Sequence, residues 1–213
     1  MLETEIPNLN IFMKCDKVDT SAYSELPAGY GIRLCKRDEL ELWKSFPFGE
    51  SYGREEKQFM DSYYRNTYEN REESFFDKCL FVVDSEDVPV ATCFSWKAYG
   101  MITTIHWFKT LKQYEGKGIG RALLTEVMKK ISGDEYPVYL HTQPSSFRAI
   151  KLYSDFGFKI VTNRKVGLRV NGYEESLPIL QEFMKEDDYR KLEFCRIGEE
   201  MISRLGREER DEF

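Results

Sequence analysis

The sequence is poor in the residues that build metal sites and disulfide frameworks. It contains 2 histidines, and its 5 cysteines are widely spaced without a CxxC pair. This pattern predicts free, mostly buried cysteines and a reducing, cytoplasmic setting without a metal site. No apolar run approaches the roughly 18 residues that a membrane span requires, and the first residues, MLETEIPNLN, lack the features of a secretory signal. The sequence therefore predicts no membrane partner.

The chain also has no excess of basic residues. Its 31 Lys and Arg against 37 Asp and Glu give a net charge of −6, which argues against nucleic acid as a main ligand because phosphate binding needs a basic surface. The acidic balance suits an amine-bearing partner, although solubility alone explains it equally well. With 213 residues, 41% of them hydrophobic, the chain is long enough for a single domain, residues 1–213, with a substantial core.

Hydrophobic periodicity divides this domain into an extension, a core and a C-terminal segment. Residues 1–29 are predicted to be an irregular polar extension that ends in the turn LPAGYG. The core, residues 30–165, begins with a short strand and two helical patterns, and CLFVVDSEDVPVATCFSWKAYG predicts a β-hairpin around Asp84–Asp87. Residues 166–213 are expected to contain a helix near Tyr173, interrupted at Pro178, then a strand at KLEFCRI and a charged terminal helix.

The second half of the core alternates strands and helices. ITTIHWFKTL is a β-rich run that leads into a glycine loop, and the amphipathic helix after the loop stops at Ser132-Gly133. YPVYLHT then predicts a strand, SSFRAIKLYSDFG a helix closed by Gly157, and FKIV another strand.

The loop LKQYEGKGIGRALL places Gly116, Gly118 and Gly120 directly before a helix. Backbone N–H groups that converge at a helix N-terminus form an anion site, and glycine lets a ligand approach the main chain closely. The loop is not a P-loop, because Lys117 is followed by Gly118 and no Ser or Thr follows a Gly-Lys pair. It is not a dinucleotide fingerprint either, because Arg121 stands where the third glycine belongs. A nucleotide-dependent enzyme is therefore the weakest hypothesis.

Two longer segments, HWFKTLKQYEGKGIGRALL and YLHTQPSSFRAIKLYSDFGF, closely resemble the GNAT superfamily of acetyl-CoA-dependent N-acyltransferases. In that family a Q/R-x-x-G-x-G/A loop binds the pyrophosphate of coenzyme A, and an N-x-x-A-x-x-L-Y-x-x-x-G-F signature follows. The two segments cover roughly residues 101–160. The resemblance implies an α+β (mixed α/β) fold with a central, mostly antiparallel mixed sheet flanked by helices. It also implies a parallel strand pair around the cofactor-binding helix.

The resemblance further implies acetyl-CoA as the cofactor and assigns residues to hold it. The pantetheine arm is expected to pair with the strand at Phe108, Lys109 and Thr110, where a backbone N–H would also face the acetyl carbonyl. The remaining cofactor contacts are expected from the loop and from the start of the later helix: Gly116, Lys117, Gly118, Ile119, Gly120, Arg121 and Ser146.

Two positions depart from the family's pattern. Aligned through GKGIG, Glu115 stands where the family has Arg or Gln, and Gln113 satisfies the literal pattern only in a register shifted by two residues. A carboxylate beside a pyrophosphate repels it unless the side chain turns outward or Lys117 and Arg121 compensate. Ser146 replaces the usual asparagine and still donates and accepts a hydrogen bond. Either departure could lower the affinity for the cofactor.

Catalytic residues follow from the same resemblance. Tyr153 matches the tyrosine that the family places beside the thioester sulfur, which implies a general acid for the departing thiolate. The two histidines fall on the two strands that form the cofactor cleft in the family, and histidine titrates near neutral pH. His106 is the first candidate for the base, and a water chain is the alternative because ITTIHWFKT has no glutamate. His141 and Trp107 are acceptor-site candidates.

Two functions are weighed on this basis. The leading hypothesis is an N-acetyltransferase that moves an acetyl group to a primary amine of a small molecule or peptide by direct attack, as a monomer or homodimer. The alternative is an acyl-CoA-binding module with little or no catalysis, motivated by Glu115, Ser146 and the missing glutamate. The early helices add aromatic residues that suit a cationic amine or simply the core: Tyr52, Tyr63 and Tyr64.

Overall fold

The strands and helices are taken from a computed structural model that describes residues 5–213. The strands are β1 (Ile11–Cys15), β2 (Gly31–Leu34), β3 (Leu80–Val83), β4 (Pro89–Ala98), β5 (Ile102–Thr110), β6 (Val138–Thr142), β7 (Lys159–Val161), β8 (Lys165–Val166), β9 (Arg169–Val170) and β10 (Phe194–Cys195). The helices are α1 (Leu40–Ser45), α2 (Arg54–Thr67), α3 (Glu72–Phe76), α4 (Ile119–Lys129), α5 (Phe147–Asp155), α6 (Tyr173–Phe183), α7 (Glu186–Arg190) and α8 (Glu199–Leu205).

The chain divides into two compact units, each assembled from separate segments. The first unit holds the described residues up to Ala22 together with Ala98–Thr104 and Gly133–Phe213. The second unit holds Tyr23–Lys97 and Ile105–Ser132. β5 therefore begins in the first unit and continues in the second. That residues 1–213 form a single domain remains a prediction.

The sheet of the first unit is mixed. Its strand order is β10-β7-β1-β6, and the first residues of β5 follow β6. The strands before and after α4 in the chain are thus neighbours, as predicted. β1 pairs antiparallel with β6 and β7, with Phe12 opposite His141, whereas β10 pairs parallel with β7. Helices α5 to α8 belong to this unit.

β1 corrects the prediction that residues 1–29 form an irregular extension. The strand IFMKC lies between β7 and β6, and all its residues except Lys14 are buried. A strand that is covered on both faces shows no alternation of polar and apolar residues. Because this apolar run is short and set within a polar segment, periodicity did not reveal it.

The sheet of the second unit has the strand order β5-β4-β3-β2, with antiparallel pairing of β2 with β3 and of β3 with β4. The predicted hairpin is confirmed. In its turn, the Asp84 carboxylate accepts hydrogen bonds from the backbone N–H groups of Glu86 and Val88. Asp87 has a φ of 62°, in the left-handed region that Asp tolerates better than most residues. The mixed fold with a central sheet flanked by helices is confirmed.

Aromatic side chains fill the core of the second unit. Trp43 of α1 is fully buried, with ring centroids 4.8 Å from Phe75 and 5.8 Å from Tyr68. Such pairs add about 0.5–1.5 kcal/mol each beyond the burial of their surface. The aromatic stripe of α2 is only partly core, because Tyr64 is buried whereas Phe59 is 53% exposed.

The elements predicted for residues 166–213 are confirmed in type. A helix begins at Tyr173, a strand covers Phe194–Cys195 and a helix covers Glu199–Leu205. Pro178 lies inside α6, which corrects the expected break. The short helix α7 and the antiparallel pair β8–β9 were not predicted. Within residues 5–213, no helix combines the length and hydrophobicity that crossing a bilayer demands.

Candidate functional site

The side chains of β5 become less buried from Trp107 onward. The strand is buried from Ile102 to His106 and half-buried from Trp107 to Thr110. Trp107 itself has a φ of 48°, in the left-handed region. A bulky residue in that region is strained by about 1–3 kcal/mol and persists only where its surroundings impose the conformation. The strand thus departs from regular geometry at Trp107, and the residues from there to Thr110 are less buried than those before them.

The glycine loop packs against this end of β5. Gly116 and Gly118 have φ values of 75° and 83°, which side chains rarely tolerate. A Cβ on Gly120 would lie 3.1 Å from Phe108 Cζ and 3.3 Å from Thr110 Oγ1. Only glycine therefore lets the first turn of α4 approach β5 this closely.

The geometry of the loop suits an anion. α4 begins at Ile119, directly after Gly118, and its first turn contains no acidic residue. The N–H groups of that turn have no intrahelical partner and carry the positive end of the helix dipole. A Cβ on Gly116 would meet no atom within 4 Å, so the main chain is open to a ligand there.

The charged residues of the loop point to a site for an anion despite Glu115. Glu115 is exposed and precedes the first turn of α4 rather than lying in it. Lys117 is also exposed, with its Nζ 4.8 Å from the ring centroid of Tyr114. Arg121 is half-buried on the first turn of α4. Residues 115–121 thus carry two cations against one carboxylate.

His106 lies in a hydrogen-bonded group at the point where β5 leaves the core. Its side chain is 4% exposed, and its Nδ1 lies 2.5 Å from the hydroxyl oxygen of Tyr68. The Trp107 indole Nε1 donates a hydrogen bond of 3.0 Å to the same oxygen. Because an indole N–H can only donate, the Tyr68 oxygen accepts from Trp107 and keeps its own proton for another acceptor. Nδ1 of His106 is in position to accept it.

Tyr63 extends this group toward the surface. It is half-buried, and its ring centroid lies 5.1 Å from Trp107 and 5.7 Å from Tyr68. Burial, followed by the hydroxyl of Tyr63 to which Tyr68 is hydrogen-bonded, raises the pKa of Tyr68 well above its ordinary value. Tyr68 is therefore held as a neutral hydroxyl in contact with both Tyr63 and His106.

Tyr68 was missed as a site residue by sequence reasoning. It directly follows α2, whose aromatic residues suit either a cationic amine or the core, and its ring lies in the core. The only available signal was its place among several buried aromatic residues on a helix. Nothing in such a pattern tells which hydroxyl faces a histidine 38 positions away.

The remaining cofactor and catalytic candidates, Ser146 and Tyr153, lie in the first unit. Ser146 is the N-cap residue of α5 and is half-buried, but its hydroxyl makes no capping hydrogen bond. Tyr153 lies seven residues later on the same helix and is 5% exposed. Seven residues are about two helical turns, so the two side chains lie on the same face of α5.

His141 is held between polar groups of the first unit. Its Nε2 lies 2.8 Å from Asn10 Oδ1, and its Nδ1 lies 2.8 Å from Arg169 Nη1. Arginine can only donate, so Nδ1 accepts and Nε2 donates to Asn10. Arg169 also donates to Asp211 and to the backbone oxygen of Phe213. These hydrogen bonds fix the orientation of the His141 ring. Its role in an acceptor site stays a prediction.

The cysteines and acidic residues form no metal centre in the described part of the chain. All cysteines are free, and all but the half-buried Cys195 are buried. Burial raises the pKa of Cys15 to about 12, so its thiol remains protonated and unreactive. Within residues 5–213, no cluster of three or more His, Cys, Asp or Glu side chains could hold a metal ion.

Comparison with known proteins places this geometry in a family. The model of the acetyltransferase (GNAT) family matches residues 39–158, more than half of the chain. An acetyltransferase of the GNAT family from Colwellia psychrerythraea has a similar fold, with 14% identity, a TM-score of 0.52 and coverage of 72% of this chain and 53% of that one. No curated protein matches the chain.

Two further solved structures are similar at lower TM-scores. A GCN5-related N-acetyltransferase from Sphaerobacter thermophilus is 20% identical with a TM-score of 0.46, and the match covers 64% of this chain and 43% of that one. Arabidopsis thaliana Naa50, in complex with the bisubstrate analogue CoA-Ac-MVNAL, is 22% identical with a TM-score of 0.47, covering 68% and 91%. The chain thus spans less than two thirds of the Sphaerobacter and Colwellia proteins.

The family match includes β5, the glycine loop and the helix that bears Tyr153. The Colwellia structure supports the same fold. The chain belongs to the GNAT family of acetyltransferases, transferases that use acetyl-CoA.

Proposed function

We propose that this protein is an N-acetyltransferase that transfers an acetyl group from acetyl-CoA to a primary amine of a small molecule or peptide by direct attack. One observation carries the proposal. Gly120 packs against Phe108 and Thr110, so the glycine loop and the accessible end of β5 form one surface. The pair of Tyr68 and His106 lies directly before that end.

Different residues would hold different parts of the cofactor. The loop Gly116–Arg121 would bind the pyrophosphate through backbone N–H groups, and residues 108–110 would pair with the pantetheine arm. The Ser146 hydroxyl, which does not cap α5, is a further polar contact. When bound, acetyl-CoA supplies an acetyl group activated as a thioester.

A buried base must reach the amine through other groups. An ammonium group has to lose a proton before its nitrogen can attack, and His106 at 4% exposure is not open to a substrate. Tyr63 and Tyr68 would relay that proton: as Tyr63 takes a proton from the ammonium group, it passes its own to Tyr68, which passes its own to Nδ1 of His106. Both tyrosines end neutral and His106 ends as an imidazolium. This relay takes the place of the water chain considered from the sequence.

Tyr153 would serve as the general acid. Its hydroxyl would donate a proton to the sulfur as the thiolate departs. The tyrosinate, whose reference pKa near 10 exceeds the value of about 8.5 for a thiol, would then take a proton back from solvent. A backbone N–H of residues 108–110 would donate a hydrogen bond to the acetyl carbonyl oxygen as negative charge develops there.

We further propose a cytoplasmic location and a monomer or homodimer as the acting species. The free, mostly buried cysteines support a reducing compartment. The net charge of −6 supports partners other than nucleic acid.

The function is tested by release of coenzyme A thiol from acetyl-CoA in the presence of polyamines, amino acids, aminoglycosides and short peptides. Release with one class, together with an acetylated product detected by mass spectrometry, is the expected result. Calorimetric binding of coenzyme A without thiol release for any amine would instead favour an acyl-CoA-binding module.

A further inference from the structure

Arg169 of β9 holds residues 211–213 in the first unit, and we call these three residues the 211–213 segment. Arg169 Nε donates to the Asp211 carboxylate at 2.6 Å, and Nη2 donates to the backbone oxygen of Phe213 at 3.0 Å. The third guanidinium nitrogen, Nη1, donates to Nδ1 of His141 at 2.8 Å. One arginine therefore joins the segment to a histidine of β6.

Tyr99 provides a second attachment for the segment. Its backbone N–H donates to the Glu212 carboxylate at 2.8 Å, and the backbone N–H of Glu212 donates to the Tyr99 hydroxyl oxygen at 3.0 Å. The ring of Phe213 packs edge-to-face on Phe12 and Tyr99, with centroid distances of 5.0 and 6.1 Å, and Phe213 is 8% exposed. Charged, main-chain and aromatic groups thus hold the segment together.

The chain that leads to the segment is an exposed linker. Residues 206–210 are exposed except for the half-buried Glu208. The backbone N–H groups of Arg207 and Glu208 donate back to the last residues of α8. Among the described residues, Glu209 and Arg210 form no hydrogen bond or ion pair. The 211–213 segment is therefore a separate anchor rather than the continuation of a packed element.

The contacts of the segment suit reversible docking. The Arg169 and Asp211 side chains remain 25% and 34% exposed, and an ion pair that is open to solvent contributes little to stability. The burial of one ring, that of Phe213, then supplies most of the remaining attraction. Three residues held in this way can exchange between a docked and a released state.

The docked segment closes the surroundings of His141. Both ring nitrogens of His141 have protein partners, Arg169 and Asn10. Release of the segment would leave two of the three Arg169 nitrogens without their acceptors, beside the rings of Phe12 and Tyr99. An arginine next to aromatic rings suits a ligand that combines a carboxylate with an aromatic ring.

We infer that the 211–213 segment is a displaceable strap in a peptide-binding site formed by Arg169, Tyr99 and Phe12. The ligand class is a peptide that carries a carboxylate two residues before an aromatic ring, because Asp211 and Phe213 present this spacing to the site. Displacement of the strap frees Arg169 to leave His141. Only this last consequence rests on the proposed function, in which His141 is an acceptor-site candidate.

A peptide with the sequence of residues 208–213 tests the inference in trans. The probe is fluorescein-Glu-Glu-Arg-Asp-Glu-Phe-amide, and fluorescence anisotropy measures its binding to the full chain and to the full-length variant Phe213→Ser. A tethered segment competes at an effective concentration in the millimolar range, roughly. We therefore expect the probe to bind Phe213→Ser at least tenfold more tightly than the unchanged protein. A probe that ends in Ser instead of Phe should bind neither.

Arg169→Gln locates the site. Added to Phe213→Ser, it should raise the Kd of the probe about tenfold, because the probe loses the partner of its carboxylate. The matched control is Arg196→Gln in the same background. Arg196 is an exposed arginine of the same unit, paired with Glu199, and its replacement should leave the Kd unchanged.

Asp211→Asn provides a second release variant, because Phe213→Ser removes a buried ring and could unfold the chain. Asp211→Asn keeps that ring and loses only the ion pair with Arg169. The probe should bind this variant severalfold more tightly than the unchanged protein. Circular dichroism establishes that each variant is folded.

The outcomes separate this inference from the proposed function. Equal affinity of the probe for the unchanged protein and the folded variants, or no binding to them, overturns the inference. An unchanged Kd after Arg169→Gln overturns it as well. None of these measurements requires acetyl transfer, so a protein that releases no thiol with any amine can still confirm the strap, and an active acetyltransferase can still refute it.

Discussion

The hydroxyl oxygen of Tyr68 lies 2.5 Å from Nδ1 of His106. This contact joins the residue that follows α2 to the last buried residue of β5, where the strand turns toward the proposed cofactor surface. Trp107 donates to the same oxygen and so fixes the direction in which Tyr68 can donate. A histidine buried this deeply can act as a base only through such a partner.

We predict that Tyr68→Phe lowers turnover about 100-fold while leaving coenzyme A binding unchanged. The variant keeps the ring in the aromatic core but removes the hydroxyl that connects Tyr63 with His106. General acid–base groups contribute about 10²–10⁴-fold to a rate. In steady-state kinetics across pH, the fall in turnover on the acidic side should also disappear. The reason is that the amine can no longer pass its proton to His106.

Tyr64→Phe is the matched control for this prediction. Tyr64 lies on α2 and is also buried, but its hydroxyl binds the Glu72 carboxylate at 3.1 Å rather than a histidine. Both variants lose a hydrogen bond and are expected to lose about 1 kcal/mol of stability. Equal turnover in the two variants would remove Tyr68 from the proton path.

Gly120→Ala is predicted to weaken coenzyme A binding and to destabilise the fold by about 1–3 kcal/mol, the usual cost of overpacking. The new Cβ would meet Phe108 Cζ at 3.1 Å, so α4 or β5 must move. Calorimetry with coenzyme A and thermal unfolding measure the two effects. Gly133→Ala is the control, since a Cβ there meets no atom within 4 Å. Similar losses in both variants would contradict a special fit at Gly120.

Patterns that one element carries by itself were predictable from the sequence. The amphipathic face of α4 and the hairpin around Asp84 depend on local spacing and turn chemistry, and both are present. The same holds for α8, although this helix stops at Leu205, short of the charged residues that follow it. Such patterns can be recognised within a single segment of the sequence.

Features imposed by tertiary contacts were not predictable. The run ITTIHWFKTL predicts a regular strand, yet Trp107 adopts a left-handed conformation inside it. The strand β1 has no periodic signal because all its residues except Lys14 are buried, whichever face of the sheet they lie on. The hydrogen bond between Tyr68 and His106 depends on how α2 packs on the sheet, which no spacing within either segment encodes.

Tyr153→Phe is predicted to lower turnover at least tenfold without changing the affinity for coenzyme A. The hydroxyl is the only group removed, and the ring remains packed beside Phe158 at 5.9 Å. Tyr139→Phe, at a tyrosine of β6 that is 4% exposed, controls for the loss of a buried phenol. Unchanged turnover in Tyr153→Phe would exclude this residue as the general acid.

Acid should weaken the fold through Glu39. Arg33 donates two hydrogen bonds to its carboxylate, at 2.7 and 2.8 Å, and the backbone N–H of Lys36 donates a third at 2.8 Å. The hydrogen bonds from Arg33, ahead of that from Lys36, hold the pKa of Glu39 below its usual value. A carboxylate with a lowered pKa stabilises the fold above its unfolded pKa, about 4.3, and this contribution disappears as the pH falls through the folded pKa.

Glu39→Gln is therefore predicted to cost about 2 kcal/mol of unfolding free energy at pH 7, since a hydrogen-bonded, charged pair is lost. The difference from the unchanged protein should shrink toward zero as the pH falls below about 4. Urea unfolding at several pH values measures it. Glu193→Gln removes the exposed partner of Lys159 and should cost less than about 0.5 kcal/mol at any pH. If Glu39→Gln lowered the unfolding free energy by the same amount at every pH, Glu39 would stabilise the fold by packing rather than by its charge.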